Sequence, residues 1–205
     1  HAVIRNWGGK CVVVEEIMDN AMSRTRLTRT SFADLRNGYC HRQVEVGQTS
    51  EGDPKFKPLG DWWLKHPQRR QYSTLTFAPG RETPDCYNLW RGFGVQSIAG
   101  NCKSFLDHLR INICDNMDEY YKYLICWMAR AVQHPDRPGE TAVVLRGDQG
   151  TGKSFFAKEF GALFGRHFLT VSDPKHLVGS FNSHLRDVVL LFGDEAFLKK
   201  KKKHE

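Results

Sequence analysis

Residues 141–160 hold an apolar run, a glycine-rich loop and a helix-forming run, in that order. The apolar run TAVVLRG, 141–147, predicts a short strand, and FFAKEFGALFG, 155–165, predicts a helix. The loop between them reads G-x-x-x-x-G-K-S. This order constrains the fold more than any other feature, because it predicts an α/β unit whose loop joins a strand to a helix N-terminus.

The loop has the composition of a phosphate-binding loop. Glycines allow successive backbone N–H groups to point at a phosphate, and the helix N-terminus adds to their field. We expect Lys153 to reach the β- and γ-phosphates of ATP and the Ser154 hydroxyl to bind Mg²⁺. The alternative is a glycine-rich turn with an incidental lysine, which the flanking strand and helix argue against. The predicted nucleotide-binding residues are Gly147, Asp148, Gln149, Gly150, Thr151, Gly152, Lys153 and Ser154.

A nucleoside triphosphatase also needs a carboxylate near the metal. The segment DVVLLFGDEAF, 187–197, predicts a strand that is apolar on both faces, as in the middle of a parallel sheet. We expect Asp194 to hold Mg²⁺ and Glu195 to orient or deprotonate the attacking water. Between the loop and this strand, RHFLTVSD predicts a further strand, and PKHLVGSFNSHLRD predicts a helix capped by Asp173.

The first half of the chain predicts a mixed α and β region. CVVVEEI and YCHRQVEVG are typical of strands, and SFADLRNG predicts a short helix with Ser31 as its N-cap and Gly38 as its stop. Residues 48–60 are polar and rich in Gly and Pro, which favours a connector. Residues 61–98 interleave aromatic and Arg side chains. Such a set forms either a stacking platform for single-stranded nucleic acid or the core of a small domain, and we favour the core.

Helical periodicity follows. KSFLDHLRINI, 103–113, places Phe105, Leu106, Leu109 and Ile113 on one face. A second helix is predicted from Asn116, with Glu119 completing a capping box. The apolar stripe predicted for this second helix consists of Tyr120, Leu124, Trp127, Met128 and Ala131.

Charge and cysteine content limit which ligands the chain is expected to bind. The net charge is +7, but residues 199–205 contain five Lys and one Glu, so residues 1–198 carry only +3. Charge therefore supports nucleic-acid binding only weakly. None of the six cysteines forms a C-x-x-C pair, so we expect no metal site from side-chain clusters and free buried thiols in a reducing cytoplasm. The longest apolar run, VVLLF, is far too short to span a membrane.

Four segments carry a resemblance to a known family: LRGDQGTGKSFFAKEFG, HLVGSFNSHLRDVVLLFGDEAF, GDWWLKHPQRRQY and YNLWRGFGV. Together they resemble the phage and plasmid primase–helicases, which belong to superfamily 3 of the AAA+ ATPases. The resemblance covers roughly residues 55–205. It implies that Gly147 to Ser154 are the Walker A loop and that Asp194 and Glu195 are the Walker B pair.

The resemblance also implies a domain plan. The expected fold class is α/β, with an incomplete P-loop NTPase parallel sheet of the AAA+ type at residues 137–205, truncated after Walker B. A small α+β linker domain, 1–98, and a helical collar, 99–136, are expected to precede it. The full-length protein is expected to be a cytoplasmic homo-hexamer, in the bacterial host cell if it is phage-encoded. It would bind ATP and Mg²⁺, translocate on single-stranded DNA, and work with a primase or polymerase domain in cis or in trans.

The chain also departs from this family. A DNA-contacting loop, a sensor residue and an arginine finger follow Walker B in the family, and none can be placed before Glu205. In AAA+ sheets the sensor strand lies between the Walker A and Walker B strands, so we expect no helicase activity and at most weak ATP hydrolysis from these 205 residues alone. The tail is interpreted either as a contact with the DNA backbone or as a solvated chain end. Its residues are Lys199, Lys200, Lys201, Lys202 and Lys203.

The leading hypothesis is therefore an ATP-dependent DNA helicase motor from the replication protein of a mobile element. One rival keeps the ATPase but makes it a loader or packaging motor that remodels a protein complex. The other is a non-enzymatic module in which residues 1–136 dock a primase or polymerase and the loop is structural. Strand displacement on a forked duplex separates the first pair, and partner retention by residues 1–136 tests the last.

Overall fold

The computed structural model describes residues 1–20, 22–172 and 185–194. The chain forms two compact units, His1–Leu89 and Trp90–Glu205. The helices expected to form a separate collar, 99–136, belong to the second unit.

The first unit is built on a four-stranded sheet in the order β3-β2-β1-β6. The β1–β2 and β2–β3 pairs are antiparallel, and β1 pairs with β6 in parallel. Two short ribbons, β4–β5 and β7–β8, complete its strands. The elements are β1 Ala2–Trp7, β2 Lys10–Asp19, β3 Arg24–Thr30, α1 Phe32–Gly38, β4 Gln43–Gln48, β5 Pro54–Pro58, α2 Leu59–Lys65, β6 Gln71–Tyr72, β7 Thr74–Thr76 and β8 Cys86–Asn88.

Both faces of this sheet are covered, because successive side chains of a strand point to opposite faces. Val3 and Val13 pack with Leu35 of α1 and Leu64 of α2 on one face. The opposite face is a second apolar cluster that includes Tyr87. Most of the aromatic rings predicted to be core lie in these two clusters, namely Trp63, Tyr72, Phe77 and Tyr87.

Local sequence signals predicted α1 correctly but did not predict β5 of the β4–β5 ribbon. Ser31 caps α1 by accepting a hydrogen bond from the Asp34 backbone N–H, as predicted. The predicted connector 48–60 was wrong in part, since β5 and the first residues of α2 lie within it. The reason is pairing with β4, which supplies backbone partners that the local Pro and Lys residues do not reveal.

Within the described residues, the second unit contains three α-helices and a two-stranded parallel sheet. Its elements are α3 Lys103–His108, a π-helical turn Leu109–Ile113, α4 Asp118–Gln133, α5 Lys153–Ala162, a 3₁₀ turn Gly165–His167, β9 Phe168–Val171 and β10 Leu190–Gly193. The strand predicted from RHFLTVSD is confirmed as β9, and the helix predicted after the loop is confirmed as α5.

An aromatic row on α5 forms the core of this unit. Phe156 and Phe160 lie four residues apart on one face of α5, and Phe164 continues this row two residues beyond the end of the helix. The rings of Phe160 and Phe164 meet edge to face at 5.3 Å, and all three side chains are at most 4% exposed. Leu124 of α4 and Leu190 of β10 belong to the same cluster. The core therefore packs both α4 and β10 against α5.

The predicted start of α4 was wrong. The helix begins at Asp118, with Met117 as its N-cap, and no capping box forms. Asp115 and Asn116 instead have φ values of 50° and 56°, which breaks the helical path between the π-helical turn and α4. In the predicted apolar stripe of α4, Tyr120 is 57% exposed, and Tyr121 packs on the core instead.

Two predicted strands differ from expectation. Residues 141–147 form no strand ladder with any described residue, although Val143 and Leu145 pack on the core. Among the described residues, the strand predicted within 187–197 is limited to β10. Its residues are apolar, but Leu191 is 38% exposed, so the strand is not buried on both faces. The helix predicted from PKHLVGSFNSHLRD lies almost wholly outside the described residues.

Most of the thiols are exposed to solvent. Cys114 is buried, whereas Cys11, Cys40, Cys102 and Cys126 are exposed, so the expectation of free buried thiols was wrong for most of them. Among residues 1–20, 22–172 and 185–194, no cluster of three or more His, Cys, Asp or Glu could hold a metal. Within the same ranges, no helix combines the length and apolarity needed to cross a bilayer.

Candidate functional site

The glycine loop, residues 147–154, turns directly into α5. Gly150 and Gly152 have φ values of 85° and 84°, a region that side chains disfavour, so the turn depends on glycine at both places. Gly152 is the N-cap of α5, and its carbonyl accepts the first helical hydrogen bond, from the Phe156 N–H at 3.0 Å. The N–H groups in the first turn of α5, before that of Phe156, have no intrahelical acceptor, and an anion is favoured there.

The Lys153 ammonium lies within this loop. Its Nζ donates to the carbonyl oxygens of Gly147 and Asp148 at 3.0 and 2.6 Å, and to the Thr151 hydroxyl at 2.9 Å. The Thr151 hydroxyl in turn donates to the Asp148 carbonyl at 3.1 Å. An ammonium has three N–H donors, so these contacts use all of them. The three acceptors of the Lys153 ammonium are thus neutral oxygen atoms of the loop.

Asp194 lies at the carboxyl end of β10. Strands β9 and β10 are parallel and in register from Phe168↔Leu190 to Val171↔Gly193. The pairing continues one step further, because the Asp194 N–H donates to the Val171 carbonyl at 3.0 Å. The carboxyl ends of adjacent parallel strands are where open α/β sheets bind ligands.

A buried histidine fixes the beginning of β10. His167 is 0% exposed, and its Nδ1 donates to the Asp187 carbonyl at 2.6 Å while its Nε2 accepts from the Arg91 N–H at 3.0 Å. Its own carbonyl accepts from the Val189 N–H at 2.8 Å, and its ring stacks on Trp90. These contacts hold β10 beside β9 before the strand reaches the site.

The loop and the strand end meet at Ser154 and Asp194. The Ser154 Oγ lies 3.5 Å from the Asp194 Oδ1, and both side chains are half-buried. Two predicted metal-binding residues are therefore adjacent, and Lys153 directly precedes Ser154 in the chain. A hydroxyl and a carboxylate are the hard oxygen donors that Mg²⁺ prefers, and one carboxylate is enough when phosphates supply further ligands. The donor set fits a magnesium–nucleotide complex.

One contact of the loop was missed by sequence reasoning. His108 of α3 lies against Gly152, with its Nε2 3.4 Å from the Gly152 carbonyl oxygen, and its ring meets Phe155 edge to face. The helical pattern assigned only apolar residues of this segment. No local signal identifies His108, because its contact is with a residue 44 positions later.

The remaining predicted site residues are not described by the structure. Glu195 and the tail Lys199 to Lys203 lie outside the described residues. Of the predicted residues, the structure brings together the glycine loop with Asp194.

Sequence comparison covers the same segment. A family model described as "Family of unknown function (DUF5906)" matches residues 145–205, which include the whole loop from Gly147, α5 and both strands of the parallel pair. No curated protein and no solved structure matches the chain.

Proposed function

We propose that this chain is the nucleotide-binding part of a P-loop ATPase that acts as a DNA helicase motor in replication of a mobile element. The observation that carries the ATPase proposal is the adjacency of Ser154 and Asp194 at the start of α5. The glycine loop with Lys153 lies immediately before it. The helicase assignment is supported by the four segments that resemble superfamily 3 primase–helicases.

The proposed chemistry follows from the position of each group. Backbone N–H groups at the start of α5 would bind the phosphates, and Lys153 would exchange loop acceptors for phosphate oxygens as negative charge develops. Ser154 and Asp194 would hold Mg²⁺, which neutralises charge on the phosphates when bound. Glu195, the next residue after Asp194, would orient the attacking water. In a homo-hexamer a neighbouring subunit would complete the site.

Lys153→Ala tests the nucleotide site. We expect the parent chain to bind a fluorescent ATP analogue in the presence of Mg²⁺, and the variant to lose at least about tenfold in affinity, since a charge-assisted contact contributes roughly 1.5–3 kcal/mol. Lys158→Ala removes the same charge from an exposed position of α5 and should bind like the parent. Equal binding by Lys153→Ala and the parent would contradict the proposal and favour a structural loop.

A second experiment addresses the work done with ATP. The full-length protein that contains this chain is expected to displace a strand from a forked duplex in an ATP-dependent manner. ATP hydrolysis without strand displacement would favour the loader or packaging motor. Binding to single-stranded DNA should weaken steeply with salt if the Lys199–Lys203 tail contacts the phosphate backbone.

A further inference from the structure

His108 contacts the glycine loop at Gly152. It is the last residue of α3 and is half-buried. Its Nε2 lies 3.4 Å from the carbonyl oxygen of Gly152, the N-cap of α5. A Cβ added at Gly152 would overlap the imidazole ring, at 2.8 Å from Nε2. A side chain at position 152 would therefore displace the imidazole, in addition to straining a backbone whose φ is 84°.

A second contact determines which ring nitrogen of His108 carries the proton. The Asn112 Nδ2 lies 2.8 Å from the His108 Nδ1. A side-chain amide nitrogen can only donate, so Nδ1 must be the unprotonated acceptor, and in neutral imidazole the proton is then on Nε2. That proton faces the Gly152 carbonyl. Asn112 thus selects the tautomer that can donate to the loop.

The π-helical turn Leu109–Ile113 places this pair. It follows α3 directly, and its buried Leu109 anchors it in the core, at 0% exposure. Single π-helical turns within helices are frequent at functional sites, where they redirect side chains. Here the turn carries Asn112 next to the His108 ring, while Leu109 fixes the turn against the core cluster that also contains Phe156.

The Gly152 carbonyl controls the direction of the next amide. The C=O of one residue and the N–H of the following residue lie in one rigid peptide plane and point in opposite directions. With the Gly152 oxygen held by the His108 Nε2–H and the Phe156 N–H, the Lys153 N–H must point the opposite way, out of the N-terminal end of α5. This is one of the free N–H groups at the start of α5 that attract an anion.

We propose that His108 is a positioning residue for phosphate binding, which in its Nε2–H tautomer orients the Gly152–Lys153 peptide toward the phosphates of the bound nucleotide. This inference rests on the proposed nucleotide site. His108 acts through the peptide and does not itself contact the phosphate. Its role couples α3 and the π-helical turn to the loop, so that displacement of this turn weakens nucleotide binding.

The test compares His108→Ala, His108→Gln and Asn112→Ala in the 205-residue chain, with Mg·ADP as the ligand. His108→Ala should lower affinity about 3- to 10-fold, the effect of one hydrogen bond. His108→Gln retains an N–H donor and should recover most of that loss. Asn112→Ala should give an intermediate loss, because either tautomer then forms. His134→Ala, an exposed histidine after α4, is the matched control and should bind like the parent.

The tautomer is measured separately in the nucleotide-free parent. The ¹⁵N shifts of the imidazole should show a protonated Nε2 and an unprotonated Nδ1 at His108, and Asn112→Ala should mix the two states. Unchanged affinity in His108→Ala, or equal losses in His108→Ala and His108→Gln, would overturn the proposal. The role of His108 would then be limited to the packing of its ring. If the parent chain binds no Mg·ADP, the proposed nucleotide site is overturned as well. Lys153→Ala then also leaves the binding signal unchanged.

Discussion

The Ser154 Oγ and the Asp194 Oδ1 lie 3.5 Å apart, although 40 residues separate them in the chain. Two local features bring them together. Ser154 is the second residue of α5, and Asp194 is the first residue after β10. The aromatic row of α5 packs on Leu190 of β10, which sets the helix over the strand. The adjacency is therefore a consequence of core packing, and it predicts how the metal contributes.

We expect Mg²⁺ to strengthen binding of an ATP analogue to the parent chain, and Ser154→Ala or Asp194→Asn to remove most of that gain. Ser154→Ala removes a hydroxyl ligand, and Asp194→Asn replaces a charged carboxylate with a neutral amide, which is a weaker ligand for Mg²⁺. Titrations in Mg²⁺ and in EDTA measure the difference directly. Glu159→Gln alters an exposed carboxylate of α5 and should keep the full Mg²⁺ effect. Equal Mg²⁺ dependence in Asp194→Asn and the parent would place the metal elsewhere.

Glu195→Gln should separate binding from hydrolysis. Glutamine keeps the shape and hydrogen-bonding capacity of the side chain but cannot accept the proton of the attacking water. We expect ATP to bind with nearly parental affinity and turnover in the full-length protein to fall by roughly 10²–10⁴-fold. Phosphate release under single-turnover conditions measures the chemical step. Unchanged release would show that another group activates the water.

Sequence patterns predicted the parts of this fold whose determinants are local. As predicted, α1 begins after Ser31 and ends at Gly38. The Ser31 cap could be predicted because a side-chain cap acts within one turn. The apolar run before Ser172 predicted β9 from its residues alone. The glycine loop also carries its own signal, since its residue types are set by backbone conformation and charge.

The error at Asn116 is local: this residue is typical of a helix cap, but its backbone is left-handed just after the π-helical turn. The other errors occurred where a distant partner decides the structure. The ribbon strand β5 exists because β4 supplies its hydrogen-bond partners. The His108–Gly152 contact joins residues that no periodicity relates. Local sequence contains no information on these pairings beyond the general need to satisfy backbone groups.

Burial of Cys114 predicts a pH-dependent stability. Desolvation raises the pKa of the Cys114 thiol above its ordinary value. Between the ordinary and the raised value the unfolded chain loses this proton while the folded chain keeps it, so the free energy of unfolding falls as pH rises. Denaturant unfolding from about pH 8 to pH 10 should show a smaller decline in Cys114→Ala than in the parent. Cys126→Ala, an exposed thiol of α4, should retain the parental slope. Identical slopes in Cys114→Ala and the parent would contradict this prediction.

Side chains within residues 141–147 alternate between half-buried and exposed, as in a strand, but the segment pairs with no strand within the described residues. Val143 and Leu145 pack against the core, whereas Val144 between them is 86% exposed. The segment is held from α4 instead, where the Trp127 Nε1 donates to the Thr141 carbonyl at 3.2 Å.

Leu145→Ala should therefore destabilise the chain by roughly 1–3 kcal/mol, below the range for a fully buried leucine because the side chain is only partly buried. Val144→Ala removes a side chain that has almost no contacts and should cost less than about 0.5 kcal/mol. Denaturant midpoints of the two variants, compared with the parent at one protein concentration, measure both effects. A large loss in Val144→Ala would mean that its face is covered in solution. The same loss, if it disappears on dilution, would identify a second chain as the cover, since only an intermolecular contact depends on concentration.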